Sequence, residues 1–77
     1  MSNVRLVFSG KRLRAEREAM GLGRLKMARR AGFVVGPEAI KRYEDGNSAP
    51  KMDVVVALAA ALEIPLERLM EREDAEG

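Results

Sequence analysis

The chain has 77 residues, 47% of them hydrophobic and 34% charged, with a formal net charge of +2 and neither cysteine nor histidine. This is one small domain, near the lower size at which an unstapled chain buries enough apolar surface to fold, and it excludes disulfide frameworks, thiolate zinc sites and the usual nucleophile–base pairs. Residues 1–51 hold twelve Lys and Arg against five Asp and Glu, while residues 52–77 hold two against seven, so a basic body with an acidic tail suits a polyanionic partner at one end only.

Val4-Arg5-Leu6-Val7-Phe8 is rich in β-branched and aromatic residues and too short for a helix, so residues 1–9 are expected to form an extended arm. Such an arm needs partners for its backbone groups. Either Leu6 or Phe8 tucks against the helical core of the same chain, or two arms pair as an antiparallel sheet between subunits, which makes Val4, Leu6 and Phe8 candidates for a dimer contact. Ser9 suits the cap of a first helix running from about Gly10 or Lys11 to Met20, with Gly21 as its stop. Leu13, Arg17 and Met20 fall on one face of it.

Two short helical patterns around a glycine-containing turn come next, a helix-turn-helix signature. From Arg24 to Ala31, Met27, Ala28 and Ala31 share a face, and Gly32 can take the left-handed conformation that ends a helix cheaply. The second pattern opens at Gly36-Pro37, with Pro37 fitted to a first helical turn and Glu38 favoured by the helix dipole. Ile40 and Tyr43 lie on its inner face, leaving Glu38, Lys41, Arg42 and Asp45 pointing outward, as a groove-reading helix requires. Val34 and Val35 predict an intervening turn folded onto Leu25 or Met27.

Asp45 to Pro50 is dense in turn residues. A fourth helix is predicted over about Lys51–Leu62, with Met52, Val55, Leu58, Ala59 and Leu62 at core spacing; the alanine-rich continuation outweighs the β-branched run at Val54-Val55-Val56. Ile64-Pro65 breaks it. Leu66 to about Arg72 predicts a short fifth helix, followed by a frayed acidic tail over 73–77. The expected fold is all-α: a compact five-helix bundle over residues 10–72, preceded by the extended arm.

Candidate chemistry is sparse. Ser2, Ser9 and Ser48 sit at a terminus, a cap and a loop; Glu16 and Glu18 do not face one way on a helix, and Glu67 and Glu71 lie beside Arg68 on a surface. Gly21-Leu22-Gly23 lacks the preceding strand and third glycine of a phosphate loop. No enzymatic activity, cofactor or metal is expected. No apolar run approaches the roughly 18 residues of a membrane span, and no signal-peptide order is present, so a cytoplasmic location is expected.

The chain resembles the Cro/cI-type family of small DNA-binding domains, also called Xre-like or phage-repressor-like, over about Gly10 to Met70. The carriers are Gly10-Lys11-Arg12-Leu13-Arg14 with Arg17, then Gly21-Leu22, Met27-Ala28, Ala31-Gly32, Ile40-Lys41-Arg42-Tyr43-Glu44, Gly46 and Pro50; Leu58-Ala59, Ala61-Leu62, Ile64 and Leu66 to Met70 match the closing pair of helices. Each is weak alone, but their order and spacing are specific. Three departures stand out: Gly23 replaces the usual Ser or Thr cap, Arg24 replaces the commonest Gln, and the turn between Gly32 and Ile40 is two residues longer.

The resemblance implies a lambda-repressor-like bundle in which the third helix lies in the DNA major groove while the second crosses the backbone. Carried over by position, the base-reading candidates are Arg42, Lys41 and Glu38, with Arg24 at the start of the second helix. Arg42 offers a planar fork to a guanine edge, and Glu38 an acceptor for a cytosine amino group. Phosphate candidates are Lys26, Asn47, Ser48 and Lys51. The resemblance also implies an Arg17–Glu44 bridge, and it adds Ile64 and Met70 as dimer candidates because relatives often pair through that end. The function it implies is a sequence-specific, double-stranded-DNA-binding transcriptional regulator of bacterial or phage type, repressing by occupying a promoter as a homodimer on an inverted repeat. The competing class is a protein-interaction module or antitoxin on the same scaffold, with a protein partner such as a toxin.

Overall fold

The computed structural model describes residues 4–74. Ser9 starts the first helix, α1 (Gly10–Ala19): its backbone is extended and its Oγ accepts the Arg12 N–H at 3.1 Å, satisfying one donor that a helix start leaves open. Gly21, at φ +68°, turns the chain out of α1. Helices α2 (Arg24–Arg30) and α3 (Pro37–Glu44) follow, and a loop leads to α4 (Met52–Leu62), an almost wholly apolar helix.

Leu13 from α1, Met27 and Ala28 from α2, Ile40 from α3, Val55, Leu58 and Leu62 from α4, and Leu69 beyond it form one buried cluster. Full burial of a side chain of Leu size contributes about 1.5–3 kcal/mol. With no cysteine to form a disulfide, this packing sets the helix orientations. Arg30 adds a clasp from α2 to the end of α4, donating from Nε to the Ala61 carbonyl at 3.0 Å and from Nη2 to Glu63 at 3.2 Å.

Beyond Ile64 the five-helix, all-α expectation is corrected. Leu66–Leu69 makes only a short 3-10 turn, and Met70–Asp74 is a strand, β2, paired antiparallel with an N-terminal strand, β1 (Val4–Phe8). The architecture is four α-helices with a two-stranded ribbon. Met70-Glu71-Arg72-Glu73 is a good helix sequence locally. Pairing overrides that preference, because β1 needs partners for its backbone groups and the register sets Arg5 opposite Glu73 and Phe8 opposite Met70. Arg5 faces Glu73 and pairs with it at 2.7 Å, while the Ser9 N–H donates to the Leu69 carbonyl at 2.8 Å.

Phe8 and Met70 anchor the ribbon. Phe8 meets Tyr43 edge to face, with ring centroids 6.2 Å apart, and Met70 is buried. Phe8 packs against the core of the same chain, as one of the two alternatives has it, and the backbone of the arm pairs with the C-terminal strand. Glu73 and Asp74 belong to β2, and the rest of the expected frayed tail, residues 75–77, lies outside the described residues. Among the described residues no helix is long and apolar enough to cross a membrane, and no group of three His, Cys, Asp or Glu could hold a metal ion.

Candidate nucleic-acid interface

Residues Glu38, Lys41, Arg42 and Asp45 are spaced three, four and seven positions apart, so they form one stripe on α3, and all four are exposed. The opposite side holds the helix in place through Ile40, which is fully buried, Tyr43, which stacks on Phe8, and Glu44. Among the described residues nothing from the rest of the chain covers the stripe.

Glu44 is the joint that sets the angle of α3. Its side chain has 0% exposure. Arg17 of α1 grips it with both arms of a guanidinium fork, Nε to Oε2 at 2.6 Å and Nη2 to Oε1 at 3.1 Å, and its Nη1 donates to the Leu22 carbonyl at 2.7 Å. Arg24 of α2 adds a second guanidinium, with Nε and Nη2 at 3.0 and 2.9 Å from Oε1. One buried carboxylate thus ties three helices together. The bidentate geometry is the strong, directional form of such a contact.

This arrangement redistributes the residues singled out in the sequence. Arg17 and Glu44 meet directly. Arg24, expected at a base edge, sits on Glu44 with 31% of its side chain exposed. Lys41 reaches Asp45 one turn on at 2.8 Å, and that contact holds the Asp45 carboxyl below its usual range. An exposed pair of this kind is weak, so Lys41 is easily released to a stronger anion. Arg42 has no acidic partner among the described residues. Glu38 folds back over the helix start: a Cβ placed at Gly36 would lie 3.1 Å from its Oε1, where the helix dipole favours a carboxylate. Lys26, Asn47, Ser48 and Lys51 are all exposed.

The turn before α3 departs from expectation. Of the two expected supports, Leu25 and Met27, only Met27 belongs to the core against which Val35 packs, while Val34 and Leu25 are each 53% exposed. Phe33 beside it is 55% exposed at φ +56°. Two features escaped the sequence reading: the Arg24 fork, which a guanidinium in place of the family's glutamine beside an Arg–Glu pair could have signalled, and the Arg30 clasp, for which the sequence carries no signal.

Comparison with known proteins follows the same lines. A family model described as a helix-turn-helix domain matches residues 10–72. The crystal structure of the P22 c2 repressor protein in complex with a synthetic operator is similar at a TM-score of 0.72 and 25% identity, covering 82% of this chain and 92% of that one. The restriction-modification controller protein C.AhdI from Aeromonas hydrophila is similar at a TM-score of 0.73 and 30% identity, covering 78% of this chain and 84% of that one. A comparison with curated proteins gives no match.

Proposed function

This chain belongs to the helix-turn-helix domain family, in its Cro/cI-type (Xre-like) branch, and from that premise we propose how it acts as a sequence-specific DNA-binding transcriptional regulator. The observation that carries the reading is the uncovered stripe on α3, held at a fixed angle by the Glu44 fork. Set into a major groove, that stripe presents Arg42 to a guanine edge and Lys41, once released from Asp45, to a neighbouring acceptor. Glu38 has a role at the helix start before any role at a cytosine. Arg24 positions α3 through Glu44 and directs its remaining N–H groups toward the backbone. Lys26, Asn47, Ser48 and Lys51 take the flanking phosphates.

A homodimer on an inverted repeat, with half-site centres about 34–36 Å apart, follows from the docking mode. Of the dimer candidates, Phe8 and Met70 are engaged in their own core and Ile64 is partly buried, while Val4 and Leu6 are 36% and 53% exposed on the ribbon. The P22 c2 likeness, a repressor bound to an operator, supports repression by promoter occupancy, and the cytoplasm is where such a target lies. Selection of bound duplexes from a random pool tests the reading. Selected sites are expected to bind about 10³-fold or more tighter than random ones, with affinity falling steeply as salt rises. Failure to prefer any duplex would favour a protein partner, such as a toxin, for the same face.

A further inference from the structure

The turn between α2 and α3 carries two apolar side chains that the fold leaves more than half exposed. Ala31 caps α2, Gly32 follows at φ +69° with its N–H on the Arg29 carbonyl at 3.0 Å, and the Phe33 N–H closes on the Ala28 carbonyl at 2.8 Å. In this hook the residue at the Phe33 position ordinarily folds its side chain back against the helix. Here Phe33 is 55% exposed and Val34, next to it, 53% exposed. Phe33 also adopts φ +56°, a left-handed conformation that is unfavourable for a bulky residue. The fold bears this strain while leaving more than half of both side chains in solvent, a combination that points to a use outside the fold.

The neighbouring chemistry says what that use is. In groove docking the first residues of the recognition helix lie closest to base edges. Pro37 has no N–H to give, Ala39 has no polar group, and Glu38 is turned back over Gly36. The N-terminal half of α3 therefore offers base edges little hydrogen bonding, and polar readout falls to Lys41 and Arg42 further along. The one apolar group displayed in a major groove is the thymine C5-methyl. Resting on the DNA reading above, we infer that Phe33 and Val34 form an apolar knuckle that reads a thymine methyl, making them specificity-determining residues alongside Arg42.

The test uses the full chain and a duplex selected from a random pool, with each thymine replaced singly by deoxyuridine, which lacks only the methyl group. At one position wild type is expected to lose about fourfold in affinity, the value of one buried methyl-sized group. Phe33→Ala is expected to bind the thymine and deoxyuridine duplexes alike at that position. Phe33→Gly serves as the fold control and is expected to melt no lower than wild type, since glycine relieves the left-handed strain. A selected duplex that tolerates deoxyuridine everywhere, an undiminished methyl effect in Phe33→Ala, or a lower melting temperature for Phe33→Gly overturns the knuckle while leaving the DNA reading intact. Failure to select any duplex overturns the DNA reading and this inference with it.

Discussion

Glu44 shows how a single side chain can decide the geometry of a surface it does not belong to. Its carboxylate is inaccessible to water and receives guanidinium forks from both α1 and α2. Truncation would leave two guanidiniums facing each other around a void, one of them only 8% exposed. Glu44→Ala is therefore expected to destabilise the fold by about 3–5 kcal/mol, read by denaturant unfolding, because removal of one partner of a buried pair leaves the other charge uncompensated. A cost below 1 kcal/mol would mean that the fork is not holding α3. Arg17 stood out in the sequence as a charge at core spacing, and the family resemblance supplied its partner. Arg24 stood out only as a departure from the family's glutamine and was assigned to a base edge, because a residue twenty positions from Glu44 at a helix start gives no local sign of that partner. Its role depends on the packing of α2 against α3, which no local pattern encodes.

Where α1 begins, its contact with the end of α3 is one of backbone on backbone. A Cβ added at Gly10 would fall 2.1 Å from the Tyr43 carbonyl oxygen and 3.1 Å from the Glu44 backbone. Neither obstacle is a flexible side chain that could swing aside. Gly10→Ala is expected to cost about 1–3 kcal/mol by pushing α1 away from the end of α3, measurable as a lowered denaturation midpoint with an unchanged m-value; an unshifted midpoint would contradict the close approach. The helix-turn-helix and α4 were legible because their apolar residues recur at helical spacing within each segment. The ribbon was not. Its two strands are paired across almost the whole chain, Val4 with Asp74 and Phe8 with Met70, and β2 taken alone is a better helix than strand. The extended character of β1 was visible from Val4, Val7 and Phe8, but only the folded core brings its partner within reach.

At the scale of the whole molecule, the ribbon also sorts the charge. The acidic C-terminal segment is drawn alongside the basic N-terminal one, where Glu73 pairs with Arg5 at 2.7 Å and Glu71 lies 3.8 Å from Arg12. Arg68 is likewise paired with Glu16 at 2.8 Å. Among the described residues six basic side chains have no acidic partner, Lys11, Lys26, Arg29, Arg42, Lys51 and Arg72, and four of them lie on α2, on α3 or just before α4, so most of the unpaired basic charge is left at the helix-turn-helix. That distribution favours a polyanion there and gives a graded prediction. Lys51→Ala is expected to weaken all duplexes alike and to flatten the slope of log affinity against log salt by about one unit. A change in base preference with an unaltered slope would say instead that Lys51 reads sequence.

The most direct measurement compares wild type and Arg42→Ala on a selected duplex and on every single-base variant of it. The α3 stripe, if it reads bases, predicts that Arg42→Ala loses about 1–3 kcal/mol of discrimination at one base pair while preferences elsewhere persist. An equal, sequence-blind loss across all variants would contradict it.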